Sequence, residues 1–187
     1  ILSCNGRSEE NFSYEFYGTK VEFPLTVQQA VNKYKVLPHQ YNRTGVAFSS
    51  PCPPGVPTNG VSEVFYVDTA DDYFSSPSDS LSRNIYAIKF CFVNQNIHSF
   101  NKIKAQLEED FRDKFDLNHN IDSKEPYYQL NSDKGISIII EFYPELTYVF
   151  DENKINNPQA WAISFCYNLG KYSIRDYTKY ERNYDAQ

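Results

Sequence analysis

The sequence predicts an α+β fold built from two tandem repeats, each a helix packed on an antiparallel sheet of three to four strands. Three observations lead there. The strand-like phrase A-I-x-F-C-aromatic occurs twice, as Ala87-Ile88-Lys89-Phe90-Cys91-Phe92 and as Ala162-Ile163-Ser164-Phe165-Cys166-Tyr167, 75 residues apart. Both copies alternate large and small side chains, the mark of a strand with one buried face. A helical pattern precedes each copy, and Val27 and Val31 map onto Ile103 and Leu107 at an offset of 76, close to the strand offset.

Taken in order, residues 1–15 read as a polar tether, 16–94 as the first repeat, 95–170 as the second and 171–187 as a Tyr-rich tail. The first helix starts at Thr26. Thr26 and Gln29 have capping-box spacing, and Val27, Val31 and Tyr34 then form one stripe. Strands follow at Val46–Phe48 and Val61–Val67. The run from Ser49 and the acidic 68–84 stretch carry turn chemistry. Tyr86, Ile88, Phe90 and Phe92 are assigned to the buried face of the closing strand, and Ala87, Lys89, Cys91 and Val93 to the other.

The second helix is the clearest in the chain. Ile97, Phe100, Ile103, Leu107, Phe111 and Phe115 recur at three- and four-residue steps. Strands are expected at Tyr127–Leu130, Gly135–Tyr143 and Leu146–Phe150, with a hairpin over Asn131–Gly135. In the second closing strand Trp161, Ile163, Phe165 and Tyr167 oppose Ala162, Ser164 and Cys166. Lys89 and Ser164 suggest that the second face is partly open to water. Phe90 and Phe165 should lie buried beneath the helices.

Composition narrows function more by exclusion than by assignment. The net charge is −6 and no basic stripe exists, which argues against a nucleic-acid partner. No apolar run reaches the roughly 20 residues that span a bilayer. Sixteen Tyr and fourteen Phe exceed the needs of a core, so some rings should serve as contact surface. Tyr172, Tyr177, Tyr180 and Tyr184 in the tail are the candidate interaction residues, beside the plainer reading of a terminal helix docked on the sheet. The sequence contains no Met, so its beginning reads as following a removed or absent leader.

Ile1-Leu2-Ser3-Cys4 resembles the end of a bacterial lipoprotein signal, and the Tyr-, Asn-, Lys- and Ile-rich composition resembles small lipoproteins of the Bacteroidota. The resemblance implies a lipid on Cys4 and an exported protein, periplasmic or on the outer surface, that meets the membrane only through that anchor. A secreted eukaryotic protein remains the alternative, with Cys4 in a disulfide and Asn11-Phe12-Ser13 and Asn42-Arg43-Thr44 as glycan acceptors. The repeat pattern resembles the tandem α+β architecture of the β-lactamase-inhibitor protein and, per repeat, small outer-membrane assembly lipoproteins.

Chemistry-bearing motifs are sparse. His39, His98 and His119 form no ligand pair, and no nucleophile elbow, phosphate loop or C-x-x-C occurs. Asp116, Asn118, Asn120 and Asp122 have the alternate spacing of a calcium loop, against Ile121 and Tyr127 where Gly and Glu belong. Cys91 and Cys166 occupy matching places and are expected to form a cross-repeat disulfide. Cys52 to Cys91 is the rival pairing. No cofactor and no catalytic residue is assigned. The leading expectation is a non-enzymatic cell-envelope lipoprotein that binds an unknown protein partner. The alternatives are an inhibitor or immunity protein that blocks an enzyme, and a small hydrolase with a loop-assembled site around His39 or His119.

Overall fold

The structure is a computed structural model that describes residues 11–34, 37–39, 47–50, 61–68, 82–92, 95–119, 126–132, 135–142 and 161–167. Its first element is one the sequence reading assigned to the tether. Strands β1 (Phe12–Phe16) and β2 (Thr19–Phe23) pair as a two-stranded antiparallel hairpin. Phe12 and Phe16 alternate inward with Tyr14, while Ser13 and Glu15 face water. Tyr17 and Gly18 make the two-residue turn with φ of 49° and 73°, and the second position suits Gly, which has no Cβ to clash there. Residues 12–15, expected in the tether, thus belong to a strand, and residues 1–10 lie outside the described residues.

After Pro24 come the two-residue strand β3 (Leu25–Thr26) and helix α1 (Val27–Tyr34). The expected capping box is present. The Gln29 backbone N–H donates to Thr26 Oγ1 at 3.2 Å, and the Thr26 N–H donates to Gln29 Oε1 at 2.8 Å. Val27 and Ala30 are buried, whereas Val31 and Tyr34 are half-buried. Strands β4 (Leu37–His39), β5 (Ala47–Ser50), β6 (Val61–Asp68) and β7 (Asn84–Phe92) follow.

Helix α2 (Ile97–Phe111) opens at Asn96, whose side chain accepts from the Ser99 N–H at 3.0 Å. It closes at Arg112, which adopts φ 53° and turns the chain out of the helix. Phe115, the last residue of the helical stripe, thus lies beyond the helix yet is still buried. Replacing Asn96 with alanine should cost about 1 kcal/mol, read as a lower urea midpoint with unchanged slope. A shift below about 0.3 kcal/mol would show that the cap bond contributes nothing net.

Strands β8 (Asp116–His119), β9 (Pro126–Asn131), β10 (Ile136–Phe142) and β11 (Trp161–Tyr167) complete the chain of elements. The hairpin expected over Asn131–Gly135 joins β9 to β10, and Ser132 N–H donates to the Ile136 carbonyl. The strand expected at Leu146–Phe150 and the 171–187 tail lie outside the described residues.

Among the described residues, nine strands form one antiparallel sheet in the order β4-β5-β6-β7-β11-β10-β9-β8, with β3 pairing the start of β7. The two quoted strands are thus neighbours at its centre. Phe90 and Phe165 are fully buried, with ring centroids 5.8 Å apart. They are covered as much by the hairpin as by the helices. Phe16 lies edge-on to Phe90 at 4.9 Å and to Phe165 at 5.2 Å, and Tyr14 reaches Phe165 at 5.7 Å. The helix-facing core continues through Phe92, Trp161, Phe100, Leu107, Ile138 and Ile140. Tyr86 departs from the assigned face. A register shift between Val67 and Asp68 of β6 skips it, so Ile85 joins the main core and Tyr86 packs with Ala87, Ile139 and Cys166 instead.

Polar ties fix the covering layer. The Tyr14 hydroxyl donates to Asp110 Oδ2 at 2.6 Å, joining the hairpin to α2. Glu22 accepts from Lys20, Lys33 and the Tyr34 hydroxyl, joining it to α1. These bonds hold the Glu22 carboxyl at about 2, below its ordinary 4.5, against the opposing effect of burial. Burial would raise Glu108, but hydrogen bonds from Lys104, Lys114 and the Phe115 N–H outweigh it and bring it to about 2. A depressed carboxylate favours the fold above its unfolded pKa and loses that favour as pH falls through the folded one. Stability should therefore decline between about pH 4.5 and 2. Glu108→Gln should flatten that decline and remove about 1 kcal/mol at neutral pH, after discounting for solvent screening. An unchanged acid limb in urea titrations of Glu108→Gln would refute the assignment.

Candidate functional site

The second face of the central strands gathers the polar groups that the aromatic face excludes. Lys89 on β7 stands directly opposite Ser164 on β11, and Ala162 lies two residues along β11 on the same face. Both neighbours are small, so the Lys89 chain can lie across β11. Its Nζ comes to 3.5 Å from Glu141 Oε2 on β10. Glu141 in turn pairs with Tyr127 of β9. Burial, then the Glu141 charge, pushes the Tyr127 phenol up. Farther along β10, Ser137 Oγ donates to Asn131 Oδ1 at 2.7 Å, and Gln129 Nε2 donates to the same oxygen at 2.9 Å.

This face is not open to water, contrary to the sequence expectation. Lys89 is 5% exposed and Ser164 is 0% exposed. A buried ammonium needs an anion nearby because burial strips its hydration, and Glu141 supplies one. The arrangement is an electrostatic tie spanning three strands. Glu141 was not singled out from sequence. The signal that points to it is its register: a lone carboxylate on a strand otherwise reading Ile-Ser-Ile-Ile-Ile.

The expected Cys91–Cys166 disulfide does not form. Cys91 pairs with Ala162 and Cys166 pairs with Ala87, and both sulfurs are buried thiols. The two cysteines are therefore offset by four residues along adjacent strands, about 13 Å at strand rise, beyond the roughly 7 Å that a disulfide tolerates. Cys52, the rival partner, lies outside the described residues, as do Cys4, Tyr172, Tyr177, Tyr180 and Tyr184.

Of the calcium-loop positions, the structure describes the first two. Asp116 and Asn118 belong to strand β8, paired with Gln129 and Tyr127, so the backbone there is extended rather than curled around an ion. Asn118 Nδ2 donates to the Asp116 carbonyl at 3.4 Å. Asn120 and Asp122 lie outside the described residues. No cluster of three or more His, Cys, Asp or Glu suited to a metal occurs among the described residues. His39 lies in β4 and His119 in β8, the two terminal strands of the sheet, while His98 is exposed in the first turn of α2. No described helix is long and apolar enough to cross a membrane. No family model, curated protein or solved structure matches the chain.

Proposed function

We propose that the chain is a non-enzymatic, protein-binding module of the cell envelope, anchored through a lipid on Cys4 and built from two tandem repeats. The supporting observation is the order and register of the sheet. Helix α1 precedes β4 to β7, α2 precedes β8 to β11, and the strand order of the second group is that of the first reversed. The 75-residue offset carries the start of β6 at Val61 onto the start of β10 at Ile136. It also carries Lys89 onto its own partner Ser164, and the pair Cys91–Ala162 onto the pair Cys166–Ala87. A two-fold axis between Lys89 and Ser164 accounts for all of these at once. It also explains why the two cysteines stay apart: each lies two residues from the axis, on opposite sides of it.

Binding is favoured over catalysis because the described carboxylates with the strongest contacts tie elements together. Glu22 and Asp110 hold the hairpin, Glu108 closes α2, and Glu141 meets Lys89. The histidines of β4 and β8 sit at opposite ends of the sheet, which weighs against the hydrolase reading. Two measurements test the proposal. Mass spectrometry of the protein from its native membranes should find Cys4 acylated. The purified chain should capture a partner from a cell-envelope extract. A Cys4 found in a disulfide removes the lipid anchor. A tight one-to-one complex with an enzyme that loses activity on binding would favour the inhibitor reading.

A further inference from the structure

The Lys89–Glu141 pair departs from the two-fold relation proposed for the central ladder. Lys89 faces Ser164 at the axis, so the cation stands on one side of it only. Glu141 of β10 pairs with Ala162, whose counterpart at the 75-residue offset is Ala87. Ala87 pairs with Val67 of β6, so no carboxylate stands at the corresponding register position. At these positions the first half of the chain holds the ammonium and the second half the carboxylate, and they approach to 3.5 Å across the seam. The rest of the seam is close to self-complementary. Its strands read Ile88-Lys89-Phe90-Cys91-Phe92 and Ile163-Ser164-Phe165-Cys166-Tyr167, so shape and hydrophobic pattern suit like halves about as well as unlike ones.

We propose that this charge pair is a pairing key: it directs the first half of the chain onto its own second half and excludes a second copy of the chain, with which like halves would pair. The key rests on the two-repeat arrangement and needs neither the lipid anchor nor a bound partner. The register carries it. The 75-residue offset that relates the two seam strands converts the β7–β11 ladder into a β7–β7 ladder between two copies. There Lys89 would stand directly opposite Lys89 of the other copy, ammonium against ammonium at a site that is 5% exposed. In the matching β11–β11 ladder Ser164 would face Ser164, and each Glu141 would lose the Lys89 ammonium. Like charges opposed across a ladder repel, and a mostly buried charge parted from its counter-ion is strongly destabilising. The unlike pairing removes both defects at once. Discrimination between partners uses a repulsive element as well as an attractive one. A chain of two near-copies needs such an element, because misassembly and exchange of domains are characteristic failures of repeat proteins.

Ser164→Cys in the full-length chain reads the pairing directly. Opposed residues of an antiparallel ladder have Cα atoms about 4.5–5.5 Å apart, within disulfide reach, so pairing of like halves would join two chains through position 164. Each variant is unfolded in urea, refolded at a concentration on the order of 100 μM and mildly oxidised. Dimers linked through position 164 are then identified by non-reduced peptide mapping. With Lys89 and Glu141 in place, such dimers should stay rare. With Lys89→Met and Glu141→Leu added, they should rise about tenfold or more. Adding Asn96→Ala instead, which lowers stability and keeps both charges, should not raise them. Equal cross-linking with and without the charges, or an equal rise with Asn96→Ala, would overturn the key and leave the two-repeat arrangement standing. Dimers of the uncharged variant that carry no link through position 164 would overturn both, since like halves then do not meet at the axis.

Discussion

Replacing Phe16 with alanine should lower folding stability by about 3–5 kcal/mol, the range for removing a buried aromatic ring. Phe16 is 5% exposed and touches the rings of Tyr17, Phe90, Phe92 and Phe165. Its loss would open a cavity over the centre of the sheet, where the hairpin packs on both β7 and β11. The neighbours that could collapse into the gap are held by rigid strands, so relaxation recovers little. Trp161 is the single Trp, buried and stacked on Phe92, so its fluorescence in a urea titration reports the change directly. If Phe12–Phe16 were a polar tether, the substitution would fall within about 0.5 kcal/mol of wild type, and that result would sink the hairpin's place in the core.

Breaking the Lys89–Glu141 tie should have the next largest effect. Lys89→Met removes the ammonium from beside a mostly buried carboxylate. A fully buried pair broken from one side loses about 3–5 kcal/mol. Glu141 keeps 20% of its side chain in water, so about 2–3 kcal/mol is expected here. Joining Lys89→Met to Glu141→Leu should recover most of that loss, because both charges of the pair are then removed. The double variant would thus be more stable than the single effects predict by at least about 1 kcal/mol. Additive losses would mean that the two groups act independently and that the 3.5 Å approach contributes no coupling.

Several elements were legible because they are written in local chemistry. The Thr26–Gln29 box fixed the start of α1, since both partners lie within one turn. The stripe of Phe100, Ile103 and Leu107 fixed α2 and its buried side. The alternation in Ile88–Phe92 and Trp161–Tyr167 identified both central strands and the aromatic face they share. The hairpin was also written there, as Phe12, Tyr14 and Phe16 against Thr19, Val21 and Phe23. Its turn is Tyr-Gly rather than the commoner Asn-Gly, and it lay beside a polar stretch that drew the reading toward a tether.

The sequence by itself determined both helices to within a turn and the two central strands with their aromatic face, because each depends on residues a few positions apart. Only the tertiary structure decided what crosses between elements. Tyr86 changed faces because a register shift opposite Val67 and Asp68 cannot be read from β7 alone. Cys91 and Cys166 kept their thiols because pairing register, and not their matching places in sequence, sets their separation. Asp116 and Asn118 became an edge strand because β9 offered them a hydrogen-bonding partner. Lys89 went inside because Ala162 and Ser164 beside it are small and Glu141 waits across β11. A charge is assigned to the surface from sequence because solvation usually wins, and only the fold can bring the counter-charge that reverses the balance.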